Sequence, residues 1–163
     1  AALHAEDAPQ QDPNIVVIYA DDLGYGDVQC YNPERGRIPT PHIDRLASRG
    51  MRFTDAHSSS GVCSPSRYTL LTGRYQQRAG GLECAIGTGN VGRYDDAIRL
   101  AGQHQLGLPA AQTVIPGKLK QAGYACGVFG KWHLGDNYPV RPTDSGFERA
   151  VHHLAGGAIS LKP

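Results

Sequence analysis

At 163 residues the chain is long enough to build one hydrophobic core. Apolar residues make up 40% and charged residues 19%, a balance that excludes a disordered, fully solvated chain. A formal net charge of +1 excludes a basic nucleic-acid surface and an acidic tail, and no apolar run reaches membrane-spanning length.

The opening "AALHAEDAPQQDP" (1–13) fits either a tail or the remnant of a removed signal peptide, with the small Ala5 as a cleavage-site residue. A periplasmic or secreted location is the corresponding expectation. "NIVVIYA" (14–20) is an almost unbroken apolar, β-branched run and predicts a buried strand of a parallel sheet. It stops at "DDLGYGD", a polar turn. "TPHIDRLASRG" then predicts a helix with Thr40 as cap, Pro41 at the first position and Gly50 at the end. Ile43, Leu46 and Ala47 form its apolar face.

"MRFTDAH" (51–57) alternates and predicts a second strand. "SPSRYTLLTG" repeats the helix punctuation, with Ser64 as cap, Pro65 in the first turn and Gly73 as terminator. Residues 80–109 are glycine-rich and predict a long irregular excursion of functional character. "TVIPGKLKQAG" (113–123) predicts a third helix and "YACGVF" (124–129) a third buried strand, followed at once by "GKWHLG". Strand, loop and helix in repetition define an α/β fold with a mostly parallel sheet flanked by helices. Ligands bind such sheets at the carboxyl ends of the strands. Each unusual motif, "DD", "CSPSR" and "GKWH", follows a predicted strand, so all three are expected on one rim.

The chemistry of the motifs supports a single anion-handling site. Asp21 and Asp22 are adjacent carboxylates that need a cation between or beside them, and their oxygens favour hard metals. A solvated turn is the commoner fate of such a pair. Cys63 is expected just before a helix N-terminus, where unpaired amides and the helix dipole favour anions and a thiolate. Arg67 returns over the first turn and can fork onto an oxyanion. Singly, each is more often a buried thiol and a surface cation. A cysteine phosphatase loop is excluded: only three residues separate Cys63 from Arg67, and Pro65 removes an amide donor. Lys131 offers a point charge to an oxyanion and His133 a proton, with Trp132 as a packed anchor. His42, His57, His104, His152 and His153 show no metal-ligand spacing, although His57 is near Cys63 in sequence. Cys30, Cys84 and Cys126 read as packing residues, with a disulfide as the alternative.

These motifs carry a resemblance. "CSPSR" followed by "YTLLTG" resembles the first signature of the type I sulfatases, and "GYACGVFGKWHLG" their second. "NIVVIYADDLGYGD" is similar to the family's opening strand and metal loop, and "TPHIDRLASRGMRFTDAHS" to the segment between. The similarity runs from Asn14 to at least Phe147 in the family's own order. The tail "RPTDSGFERAVHHLAGG" resembles the arylsulfatase branch. Gly61 and Cys126 depart from the usual residues, each small for small. The resemblance implies an alkaline-phosphatase-like α/β domain of which 14–163 is the N-terminal portion, since sulfatases are much longer and draw further metal and sulfate ligands from later segments.

Carried over residue by residue, the resemblance implies the following. Cys63 would be oxidised to formylglycine by a formylglycine-generating enzyme. The hydrate of that aldehyde would attack sulfur, release the alcohol, and then expel sulfate through its second hydroxyl. Asp21, Asp22 and the modified Cys63 would ligate calcium. Arg67 would hold the hydroxyl and neighbouring charge, Lys131 would bind sulfate oxygens, and His133 would bind substrate and assist at the hydrate. The substrate would be a sulfated small molecule or carbohydrate, with no nucleic-acid or membrane partner. About half of the site would lie in this chain, which alone is expected to turn over little or nothing. The alternatives are a phosphonate or phosphate monoester hydrolase of the same superfamily, and a non-catalytic truncated fragment.

Overall fold

The computed structural model describes residues 12–79, 107–108, 113–135 and 138–153. Expectations placed on the segment before residue 12, on the 80–109 excursion apart from 107–108, on Cys84 and His104, and on the chain after His153 lie outside the described residues. The chain divides into two compact units, Ala1–Arg52 and Phe53–Pro163.

In the first unit, helix α1 spans Pro41–Arg49, with Thr40 at the N-cap and Gly50 at the C-cap. Its N-terminus is pinned by polar bonds. The Thr40 hydroxyl donates to Asp44 Oδ1 at 3.0 Å and accepts from the Gln29 amide at 2.9 Å. The Cys30 amide donates to the same oxygen, Asp44 Oδ1, at 2.9 Å. An acid in this first turn also suits the helix dipole. Ile43 and Leu46, expected on a buried face, are exposed.

The buried strand expected over 14–20 is not found. The run forms no ladder, and Ile15, Val16, Val17 and Ile18 are 55–86% exposed. Segment 51–57 likewise forms no strand. Both runs have strand composition, but a β-strand exists only through hydrogen bonds to a neighbour. Among the described residues neither run has one.

In the second unit, helix α2 spans Cys63–Thr72, helix α2's C-cap Gly73 adopts φ 67°, and the Gly73 amide closes onto Thr69 O at 2.8 Å. A side chain would be strained there, as the expected terminator requires. Helix α3 spans Ile115–Gln121, within the expected range. Strand β1 spans Gly127–Lys131, later than the expected 124–129, so Lys131 is its last residue rather than part of the following loop. Strand β2, Arg149–His153, pairs with it in parallel, Gly127 opposite Arg149 and Lys131 opposite His153. This parallel pair with its helices is the α/β arrangement expected. No described helix is long and apolar enough to cross a membrane.

The core of this unit gathers Tyr68 of α2, Leu108, Val114, Trp132 and Leu134, with Leu71 and Phe147 against it. Trp132 is 2% exposed, donates its indole N–H to Val140 O at 3.1 Å, and meets Phe147 edge-on at 6.0 Å. It is the anchor the sequence suggested. Truncating it leaves a large cavity and an unpaired carbonyl. Trp132→Ala is therefore expected to lower the unfolding free energy by about 3–5 kcal/mol, read as a fall in the urea midpoint. A change below about 1 kcal/mol would contradict the assigned core.

Two glycines fix the loop that carries His133. Gly107 and Gly135 adopt φ 118° and 122° and lie against each other and Val140. A Cβ on Gly135 would stand 2.3 Å from Val140 Cγ2, so only glycine fits. The Leu108 amide donates to Leu134 O at 2.7 Å, tying residue 108 to the segment after β1.

Candidate active site

Cys63 is the first residue of α2, not the residue before it. Val62 takes the N-cap position in extended backbone, so Ser64 lies inside the helix instead of capping it. Pro65, third in the helix, still falls in the first turn, where its missing amide has no intrahelical partner to lose. Ser64, Pro65 and Ser66 are buried while Cys63 and Arg67 are half-buried. Tyr68, fully buried, locks the first turn to the core from behind.

Arg67 reaches out of α2 and donates from Nη1 to the backbone carbonyl of Lys131 at 2.6 Å. This bond joins the "CSPSR" and "GKWH" motifs across 64 residues of sequence. Cys63 and Arg67 lie about one helical turn apart. Lys131 ends β1, and two residues on His133 is 5% exposed with φ 56°. The left-handed region is costly for a residue with a side chain, though His tolerates it better than most. Such strain survives only where the surroundings fix it. Here Trp132 and Leu134, both buried, flank the residue on either side.

Asp21 and Asp22 lie in the first unit, on the exposed turn after residue 20. Asp22 adopts φ 55°. Among the described residues, Asp22 and His133 are the only non-glycine residues with positive φ. Nearby, the Gly24 amide donates to Asp27 Oδ2 at 3.1 Å, so Asp27 builds the turn. Two adjacent carboxylates offer hard oxygens of the kind calcium takes, but fewer than the six to eight it needs. Among the described residues no group of three or more His, Cys, Asp or Glu side chains is placed to hold a metal.

Other candidates are accounted for. His57 pairs with Asp55 at 2.7 Å, both side chains well exposed. His42 Nδ1 lies 3.3 Å from Arg45. Cys30, Cys63 and Cys126 are free thiols. Sequence reasoning missed a serine cluster on either side of Cys63, in which the Ser58 and Ser66 hydroxyls meet each other and the Ser60 main-chain carbonyl. The serine-rich run "SSSGVCSPS" was its visible sign.

This geometry can now be set beside known proteins. The Sulfatase family profile matches residues 13–159, and the chain belongs to the sulfatase family. It is 43% identical over 125 residues to N-acetylgalactosamine-6-O-sulfatase of Bacteroides thetaiotaomicron, covering 77% of this chain and 21% of that protein. It is 40% identical over 138 residues to arylsulfatase G of Canis lupus familiaris, covering 85% and 23%. The crystal structure of Ps i-CgsB superposes with a TM-score of 0.75 at 36% identity, covering 90% of this chain and 29% of that one. A second crystal structure of that protein, in complex with k-i-k-neocarrahexaose, gives the same TM-score. The fold is therefore that of the sulfatases, and the first two of these relatives are sulfatases, that is sulfuric ester hydrolases, by name. The chain spans between 21% and 29% of their length.

Proposed function

We propose that this chain is the N-terminal portion of a catalytic domain that hydrolyses sulfate monoesters, with Cys63 as the precursor of the nucleophile. The observation that carries this reading is the Arg67–Lys131 bond, which sets a guanidinium from one motif beside the strand end that bears the lysine and histidine of the other. Sulfate esters place negative charge on oxygen throughout the reaction. Fixed cations and amide dipoles around that charge are the largest single source of rate enhancement.

Each residue has a definite part. Cys63, half-buried at the head of α2, is the residue a formylglycine-generating enzyme would oxidise. When formed, formylglycine supplies the paired hydroxyls needed first to attack sulfur and then to release sulfate, which a thiol cannot do. Arg67 opposes the charge there while its tether holds its position. Lys131 places an ammonium for sulfate oxygens. His133, packed between buried neighbours, moves a proton at the nucleophile. Asp21 and Asp22 would hold calcium, which supplies further positive charge, and ligands beyond these two would complete its sphere. Carbohydrate sulfates are the favoured substrate class: one relative is named for N-acetylgalactosamine 6-O-sulfate, and Ps i-CgsB takes a neocarrahexaose.

The test uses the full-length protein co-expressed with a formylglycine-generating enzyme. Peptide mass spectrometry is expected to find one sulfur and two hydrogens replaced by one oxygen at Cys63. Turnover of an aryl sulfate is expected to exceed that of the matching aryl phosphate. An unconverted Cys63, or a strong phosphate preference, would refute the assignment.

A further inference from the structure

The loop that leads into Cys63 is held by side chains that the reaction does not consume. Ser66, in the first turn of α2, is 7% exposed. Its hydroxyl donates to Ser60 O at 2.7 Å and stands 2.9 Å from the Ser58 hydroxyl. Ser58 in turn reaches Ser60 O at 2.7 Å. The Ser60 hydroxyl accepts from the amide of Val62, the N-cap residue, at 3.1 Å. Two hydroxyl protons serve the three contacts among Ser58, Ser66 and Ser60 O. However they are arranged, the Ser60 carbonyl accepts at least one of them.

The geometry points to a serine clasp: we propose that Ser66, supported by Ser58, is a positioning residue that holds segment 58–62 against the first turn of α2 and so fixes the side chain at position 63. The main chain alone does little of this. The first backbone bond of the helix, Ser66 N to Val62 O, is 3.3 Å long, and Val62 supplies no side-chain cap. An N-cap that lacks a polar side chain forgoes a stabilising bond at the helix start. Ser66 makes a different bond from inside the helix: its hydroxyl donates backward over Cys63 and Val62 to the Ser60 carbonyl, bracing the loop rather than capping the amides. Orientation matters because a displacement of about 1 Å at a reacting group can cost on the order of a hundredfold in rate.

The clasp bears on catalysis through the reading given above, and its test separates the two. The full-length protein is prepared with the formylglycine-generating enzyme, and kcat on 4-nitrophenyl sulfate is normalised to formylglycine content. Ser66→Ala is expected to lower kcat about tenfold with KM little changed, and the exposed Ser58→Ala about threefold with an unchanged Tm. Ser58→Thr, which keeps the hydroxyl, is expected to restore the rate. A second preparation, made without the enzyme, leaves Cys63 as a thiol. There, both alanine variants are expected to raise the iodoacetamide labelling rate of Cys63 about threefold while Cys126 labels as in wild type. Where wild type hydrolyses the sulfate, wild-type kcat in both variants overturns the clasp. Where it does not, the functional reading fails and labelling alone decides: a raised rate supports the clasp and an unchanged one overturns it.

Discussion

Replacing Cys63 with alanine in the full-length protein is expected to abolish sulfate-ester turnover, with kcat falling by at least about 10⁴-fold. The size follows from the role assigned. Arg67, Lys131 and the head of α2 can stabilise charge, but without a nucleophile there is no covalent route for them to stabilise. Residues that act as a unit do not contribute separately. The stability of the fold is not at stake, because Cys63 is only half-buried and forms no disulfide. The same logic ties rate to maturation: preparations with different degrees of conversion at Cys63 should show kcat in proportion to their formylglycine content. Steady-state assay beside quantitative peptide mass spectrometry reads both. Turnover by the alanine variant, or a rate independent of conversion, would remove Cys63 from the reaction.

Arg67→Lys is expected to cost about 10²–10³-fold in kcat/KM, although it conserves charge. Arginine presents a planar fork of donors, and one of them is already committed to Lys131 O. A lysine ammonium on a flexible stem cannot keep that tether and also face an oxyanion from the same place. The loss should therefore appear in kcat as well as in KM. An effect within about threefold would mean that the guanidinium serves packing rather than the site.

The helices were the legible part of the fold. Pro41 at a first helical position, Pro65 in a first turn and Gly73 in the left-handed region are local requirements that a sequence states outright. The start of α2 lies two residues earlier than its sequence indicates, because Ser64 is a better cap than Val62 and burial of Ser64 overrides that preference. Strands were harder to place. The runs at 14–20 and 51–57 show that apolar, β-branched composition indicates a need for a neighbour without identifying one. Strand β2 passed unnoticed for the converse reason: "RAVHH" is only partly apolar and becomes a strand through its partner, β1. For the candidate site, residue types and spacing singled out Cys63, Arg67, Lys131 and His133. They could not reveal that Arg67 bonds a main-chain carbonyl, that His133 sits at positive φ, or that three serines close on one another, because those facts arise only after folding.

The tether of Arg67 has one further implication. Its acceptor is the peptide oxygen at position 131, which every amino acid possesses, and not the lysine side chain. The ammonium can therefore be exchanged, by mutation or over evolutionary time, without casting the guanidinium adrift. A substitution at position 131 therefore reports on the ammonium alone, with the guanidinium still moored.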